Sequence, residues 1–272
     1  MMKINLILRT LINSNIFVSF CAFTLALSSE ILLESSNINV SIFVFFASLF
    51  TYNFQRIVRI KKGDKHKRKK WTENNLQLIH TLIIIGAIIS IYFFIKFNLT
   101  TQIIIVFSGF ISIIYPFIIR NKPYCKIFAI TSVWTISTML LLISENNLLL
   151  NKTTSLHLFH RFIFVFIITI PFDLRDLKYD KKNIKTIPTL LGFQKSKFLI
   201  FFLLIIILII SLLMYQYKYL SLNLLIGNGM TWILTSILVL VINEKRGDLF
   251  FSLWIESLSI FYFLFLIISL SI

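Results

Sequence analysis

The chain has 272 residues, 57% of them hydrophobic, and its 27 basic and 11 acidic residues give a formal net charge of +16. A mean hydropathy of +0.87, with recurring apolar runs of about 20 residues that can each cross a bilayer, excludes a water-soluble globular protein. The runs lack the two-residue alternation of a membrane β-barrel. We therefore expect an all-α, polytopic membrane protein, because helices satisfy their own backbone groups in lipid.

Hydropathy predicts nine transmembrane helices in a single domain, residues 1–272. The spans lie near 11–29, 38–55, 75–97, 101–119, 124–143, 157–172, 197–217, 220–242 and 249–271. On the side opposite the N-terminus, the only basic residues are Lys96, Lys152, Arg161 and Lys218. This asymmetry predicts a cytoplasmic N-terminus and an outside C-terminus, in a bacterial inner membrane. Because the basic residues occupy short loops between apolar spans, their charge predicts contact with membrane lipids and not with nucleic acid.

The connection between the second and third predicted spans, residues 54–74, is strongly basic. Its Lys and Arg residues extend from Arg56 to Lys70. For the stretch from Lys61 to Lys70 we favour a topological role, in which the basic loop sets the orientation of the chain and contacts anionic lipid head groups.

Three aspartates open the connection 173–197, directly after the sixth span. The i, i+3, i+7 spacing of Asp173, Asp176 and Asp180 places their carboxylates within about 60° on one helical face, with Arg175 on the opposite side. Such a face repels itself, but it suits Mg²⁺, which binds to a few carboxylates and to phosphate oxygens. Asp173 follows an apolar span, where a carboxylate needs a cation or a metal as partner. The pattern predicts phosphate chemistry at the membrane surface.

Ionisable residues inside the other spans are few. Glu256 lies within the ninth span, where an ionisable group costs about 2.5–3.5 kcal/mol at the bilayer centre. Two interpretations stay open: a functional acid that lines a cavity, with His80 as one conceivable partner, or a protonated or hydrogen-bonded residue at a helix contact. His157 and His160 are expected at the outer membrane interface.

These segments resemble the UbiA-type membrane prenyltransferases. The pattern Asp173-x-Arg-Asp176-x-x-x-Asp180, followed by Lys185-Thr-x-Pro-Thr-Leu-x-Gly192, is similar to the second of that family's two Asp-rich loops. The stretch from Tyr115-Pro through Arg120 to Lys126 is similar to its fourth-to-fifth helix connection. The resemblance implies nine transmembrane helices around a lipid-accessible cavity, capped by Asp-rich loops after helices two and six.

The first Asp-rich motif of the family is degraded in this chain. Asn53 matches its first position, but the three positions that carry Asp in the family are Phe54, Ile57 and Lys61. Gln55, Arg56 and Arg59 occupy the neighbourhood instead. Arginine binds phosphate bidentately, so these arginines could hold a diphosphate directly.

The resemblance implies Mg²⁺-assisted transfer of an isoprenoid chain from a prenyl diphosphate donor to a hydrophobic acceptor, with aromatic molecules among the options. It assigns catalysis and metal binding to Asp173, Asp176 and Asp180. Diphosphate contacts would come from Asn53, Arg56, Arg59, Tyr115, Arg120, Lys126 and Lys185. We favour an enzyme because the second loop is well formed. The alternative is a non-catalytic relative that binds or moves polyprenyl phosphates. A secondary transporter is less favoured, since the chain shows no inverted repeat.

Overall fold

The computed structural model describes residues 2–35, 37–62, 68–180 and 185–272, with side chains at 2–5, 121 and 178–180 outside the description. Every regular element in these ranges is helical. The helices are α1 Met2–Asn13, α2 Ile16–Leu32, α3 Ile38–Lys61, α4 Lys69–Asn74, α5 Leu76–Lys96, α6 Leu99–Ile114, α7 Cys125–Glu145, α8 Lys152–Asp180, α9 Ile187–Leu191, α10 Phe193–Gln216, α11 Leu222–Leu240 and α12 Asp248–Leu270. Two of them contain a π-helical segment, Ile136–Leu140 in α7 and Phe251–Ile255 in α12.

The all-α, membrane-spanning class is confirmed, but the number of nine spans is not. Within the described residues, the helices long and apolar enough to cross a bilayer are α3, α5, α7, α8, α10, α11 and α12. The pair α1–α2, bent by 71°, adds an eighth if it is one span. The fourth predicted span, 101–119, corresponds to α6, which has only 16 residues. It is about 24 Å long, shorter than the roughly 30 Å hydrocarbon core.

The break between α1 and α2 is held by α3. Asn15 takes a left-handed backbone conformation there, with φ of 63°, which Asn tolerates better than most residues. Its side-chain amide donates to Oδ1 of Asn53 at 2.9 Å, and the Asn53 amide donates to the Ser14 carbonyl at 3.0 Å. Arg56 donates to the Asn13 carbonyl and to Oδ1 of Asn15. The carbonyls released by the break are therefore satisfied by side chains of α3.

The close approach of α5 to α3 depends on a glycine. A Cβ atom added at Gly86 would lie 2.9 Å from the Phe46 carbonyl oxygen and 3.0 Å from the Phe50 backbone nitrogen. Small residues of this kind let membrane helices pack backbone against backbone. The contact holds α5 against α3, the helix that carries Arg56 and Arg59.

The N-terminal half of α8 is buried, which corrects the expectation for its histidines. His157 and His160 are each only 3% exposed, and His160 Nε2 lies 2.9 Å from the Ser211 hydroxyl on α10. Arg161 is also buried and donates to the hydroxyls of Ser28 and Ser29 on α2, at 2.8 Å each. These residues lie in the bundle interior and not at the interface, because α8 is surrounded by other helices.

We expect Asn53→Ala to destabilise the protein by about 1–3 kcal/mol, because it leaves the buried Ser14 carbonyl and the Asn15 amide without partners. Thermal unfolding in detergent measures the loss, with the exposed Asn243→Ala as a control that should change stability by less than about 0.5 kcal/mol. An Asn53→Ala protein of normal stability that fails to bind diphosphate would contradict this structural role.

Candidate active site

A cavity of about 450 Å³ lies between α2, α3, α6, α7, α8 and α12. One end is lined by charged side chains at helix ends, with Arg56 and Arg59 near the end of α3, Lys126 at the start of α7, and Asp173 and Asp176 near the end of α8. The middle parts of these helices provide mainly apolar walls. A cavity of this kind suits a molecule with an ionic head and a hydrocarbon chain.

Basic side chains exceed acidic ones around the cavity. Among the described residues the lining includes Arg56, Arg59, Arg68, Arg120, Lys126 and Arg175, together with Asp173, Asp176, Asp248 and Glu256. We call all of these except Glu256 the charged end of the cavity. The excess of arginine and lysine over carboxylate favours a polyanionic head such as a phosphate.

Asp173 is paired with Lys126 across α8 and α7. The Lys126 ammonium lies 2.6 Å from Oδ1 of Asp173, a residue that is only 1% exposed. A carboxylate buried to this degree is stable only beside a compensating charge. The cation that the buried Asp173 requires is therefore Lys126.

Arg175 joins the end of α8 to the start of α12. It donates to both carboxylate oxygens of Asp176, at 2.9 and 2.8 Å, and to Oδ1 of Asp248 at 2.8 Å. Arg68 donates to Oδ2 of Asp248 at 3.2 Å and to the Ser252 hydroxyl at 2.6 Å. Arg175 starts from the opposite side of α8, as its spacing predicts, and its long side chain folds back onto the next residue.

Aromatic rings line the cavity beside its charged end. Trp134 on α7 donates its indole N–H to the Tyr52 hydroxyl on α3 at 2.7 Å, which fixes both rings in the wall. Phe172 lines the same space, and the Arg175 guanidinium lies 5.3 Å from the centre of its ring. Ring faces of this kind can stabilise a cation that forms inside the cavity.

The fold is similar to solved structures over nearly the whole of each chain. A UbiA homolog from Aeropyrum pernix K1 in its apo form has a TM-score of 0.69 at 12% identity, covering 93% of this chain and 98% of its own. A UbiA homolog from Archaeoglobus fulgidus bound to GPP and Mg²⁺ has a TM-score of 0.61 at 12% identity, covering 94% and 97%. A digeranylgeranylglyceryl phosphate synthase has a TM-score of 0.58 at 18% identity, covering 96% and 98%.

The chain has the UbiA fold. No family model and no curated protein matches the sequence. The resemblance drawn from the Asp-rich connection and from the order of the spans is thus supported by the three-dimensional fold.

Within this UbiA fold, most of the predicted site residues line one cavity. They are Asp173, Asp176, Arg56, Arg59, Tyr115, Arg120 and Lys126. Asp180 is the last residue of α8, and its side chain lies outside the described residues. The cavity thus brings together side chains from four separate parts of the chain.

Two predicted diphosphate contacts are placed elsewhere. Asn53 is fully buried at the α1–α2 break and is not part of the cavity lining. Lys185 is exposed outside the lining, and its backbone carbonyl accepts a hydrogen bond from the Tyr124 N–H at 2.9 Å. In the structure, Asn53 donates to the Ser14 carbonyl at the α1–α2 break. The Lys185 carbonyl links the connection after α8 to the connection before α7.

Sequence reasoning missed Arg68 and Asp248 as site residues. Arg68 lies in the basic stretch that we assigned to topology, so that assignment is incomplete for this residue. Asp248 opens the last span on the same predicted side as the Asp-rich connection. Because acidic residues are scarce in this chain, this shared side could have identified Asp248 as a candidate site residue.

The described carboxylates can accommodate one Mg²⁺ ion in the presence of a diphosphate. Asp173 and Asp176 lie one helical turn apart at the charged end, and Mg²⁺ is commonly held by one or two carboxylates plus phosphate oxygens and water. No group of three or more His, Cys, Asp or Glu side chains in the described ranges could hold a metal unaided. A second ion at the first loop has no support, because Phe54, Ile57 and Lys61 replace the carboxylates there.

We expect Lys126→Met to destabilise the protein by about 3–5 kcal/mol, because it leaves the buried Asp173 carboxylate without its ammonium partner. The double variant Lys126→Met/Asp173→Asn should recover most of that loss in chemical or thermal unfolding. Lys69→Met is the matched control, since its 3.8 Å pair with Glu73 is exposed and worth less than about 1 kcal/mol. Equal effects of the two single variants would contradict the pairing.

Proposed function

We propose that the protein is an intramembrane prenyltransferase that transfers an isoprenoid chain from a prenyl diphosphate to a hydrophobic acceptor. The observation that carries this proposal is a single cavity in which a cationic end continues into apolar and aromatic walls. The Archaeoglobus fulgidus UbiA homolog bound to GPP and Mg²⁺ supports it, as a protein of the same fold. Because one fold can host several functions, the assignment depends on the cavity and not on the fold alone.

The charged end would bind the diphosphate. Arg59 and Arg120 line it from α3 and from the connection after α6, and a guanidinium can donate two parallel hydrogen bonds to phosphate. Arg56 already donates hydrogen bonds at the α1–α2 break, so its contribution to diphosphate binding would be mainly its positive charge. Lys126 can move from Asp173 to a phosphate oxygen, which would release Asp173 when the substrate enters.

Asp173 and Asp176, with Asp180, would hold one Mg²⁺ ion against the diphosphate. When bound, the ion supplies charge neutralisation at the leaving pyrophosphate. On the opposite side, Arg56 and Arg59 lie next to the positions of the missing carboxylates and would place positive charge where the leaving group develops negative charge. The site would therefore contact the diphosphate through a metal ion held by α8 on one side and through the arginines of α3 on the other.

The apolar part of the cavity would hold the isoprenoid chain and protect the reaction from water. Phe43, Ile105 and Leu141 line this part, and the paired rings of Tyr52 and Trp134 stand between it and the charged end. An allylic cation that forms when pyrophosphate leaves would face these rings. The same walls would keep bulk water away from the cation until the acceptor reacts.

A non-catalytic binder of polyprenyl phosphates is the second candidate. It is favoured by one observation, the replacement of all three carboxylates of the first motif by Phe54, Ile57 and Lys61. An arginine face is sufficient for binding, whereas ionisation of the donor requires strong electrostatic stabilisation of the leaving group. We place either protein in a bacterial inner membrane with a cytoplasmic N-terminus, following the distribution of basic residues.

The decisive experiment is a titration of the purified protein in detergent with geranyl and farnesyl diphosphate, with and without Mg²⁺. Pyrophosphate release and prenylated product are followed with two acceptor probes, 1,4-dihydroxy-2-naphthoate and a monoalkyl glycerol phosphate. For a transferase we expect Mg²⁺-dependent release that falls by about 10²–10³-fold in Asp176→Asn. Glu244→Gln, an exposed substitution outside the cavity, is the matched control and should leave release unchanged. Tight binding without release would favour the binder.

We expect Arg59→Gln to weaken geranyl diphosphate binding by about tenfold or more, because a charge-assisted hydrogen bond contributes about 1.5–3 kcal/mol. Equilibrium binding in detergent measures the change. Arg246→Gln removes an arginine from the exposed loop before α12 and should leave affinity unchanged. Equal affinity of Arg59→Gln and wild type would remove Arg59 from the diphosphate site.

A further inference from the structure

Glu256 lines the cavity at a different depth from the other carboxylates. It follows Asp248 by eight residues, roughly two turns further along α12, and Arg68 of the charged end donates to the Ser252 hydroxyl one turn before it. Among the described residues, no side chain forms a hydrogen bond or an ion pair with its carboxylate. Asp173, Asp176 and Asp248 are all paired with cations at the charged end. Glu256 therefore remains available to a molecule inside the cavity.

A π-helical turn sets the direction of the Glu256 side chain. Its backbone N–H bonds to the Phe251 carbonyl at 3.2 Å, five residues earlier, at the end of the π segment Phe251–Ile255. Ser259, one turn later, lines the same cavity. Single π turns of this kind occur frequently at functional sites, where the extra residue changes which side chains face inward.

The second π segment of the described chain borders the same cavity. It spans Ile136–Leu140 in α7, and Ser137 within it lines the cavity together with the following Leu141. Both departures from regular α-helix thus occur where a helix borders this space. The π segments of α7 and α12 therefore influence which side chains of these two helices face the cavity.

Prenyl transfer requires a group that accepts a proton near the acceptor. The allylic C–O bond of the donor breaks, and its electron pair leaves with pyrophosphate. A lone pair or a ring π pair of the acceptor then forms the new bond to the allylic carbon, and the acceptor loses one proton. The cationic residues of the charged end cannot accept that proton. His80, which the sequence suggested as a partner of Glu256, is exposed on α5 and does not line the cavity.

We propose that Glu256 is the base that takes this proton from the acceptor. The proposal rests on the prenyltransferase function argued above. The groups whose charge or dipole acts on Glu256 are Arg56, Arg68 and Arg175, with Asp248, Cys21 and Tyr52. They come from α2, α3, α8, α12 and the stretch before α4, so the carboxylate is enclosed on several sides yet open to the cavity.

The test is Glu256→Gln, which keeps the size of the side chain and removes its ability to accept a proton. Purified variant and wild type are compared for geranyl diphosphate binding, pyrophosphate release, and the split between prenylated acceptor and geraniol, with the same two acceptor probes. We expect binding within twofold of wild type, continued release with geraniol as the main product, and transfer reduced by about 10²-fold or more. Glu244→Gln is the matched control and should keep the wild-type split.

Each other outcome overturns the assignment. Wild-type transfer by Glu256→Gln would exclude a role as base, and a parallel loss of diphosphate binding, release and transfer would make Glu256 part of the donor site or of the fold. If Glu256→Gln does not fold, Glu256→Asp retains the carboxylate but withdraws it from the cavity. That variant should then release pyrophosphate normally and transfer poorly, and normal transfer would overturn the proposal. Absence of release from wild type itself would instead refute the prenyltransferase function on which the base depends.

Discussion

A buried carboxylate in an apolar helical bundle needs a countercharge beside it, and here that requirement ties separate helices together. Arg175 connects Asp176 on α8 with Asp248 on α12, and Lys126 on α7 covers Asp173. Removing one partner of such a buried pair costs far more than the pair itself contributes. The charged groups that would bind a diphosphate are therefore also the groups that hold α7, α8 and α12 in register around the cavity.

The site residues that the sequence predicts are those that lie close together along the chain. Asp173 and Asp176 could be recognised because one helical turn brings them to the same face. Arg68 and Asp248 are separated by 180 positions, and nothing local indicates that they meet. Asn53 matches a family position, but in the structure its amide bonds to residues at the left-handed turn at Asn15, which the local sequence does not predict. The apolar helices themselves were predictable because hydropathy depends only on composition within each span.

Loss of the first Asp-rich motif changes the electrostatics of the site and not its location. With Phe54, Ile57 and Lys61 in place of carboxylates, no metal face can form on α3, yet Arg56 and Arg59 still line the cavity there. Arginine needs no bridging ion to bind phosphate, and its planar group fixes the orientation of the oxygens. Under the proposed function such a site would use Mg²⁺ on one side only, and its affinity for diphosphate should then be less sensitive to metal than that of a site with two carboxylate faces.

The depth of Glu256 separates two electrostatic tasks that would interfere at a single place. A carboxylate that pairs with arginine or lysine has its oxygens occupied by that cation, so it is less accessible to a second molecule. Asp173, Asp176 and Asp248 are in this situation, which suits them to hold cations. Glu256 lies deeper, without an ion pair in the described structure, and the π turn before it directs it into the cavity. Binding of the anionic head and removal of a proton from the acceptor can then occur in one continuous cavity without competing for the same carboxylate.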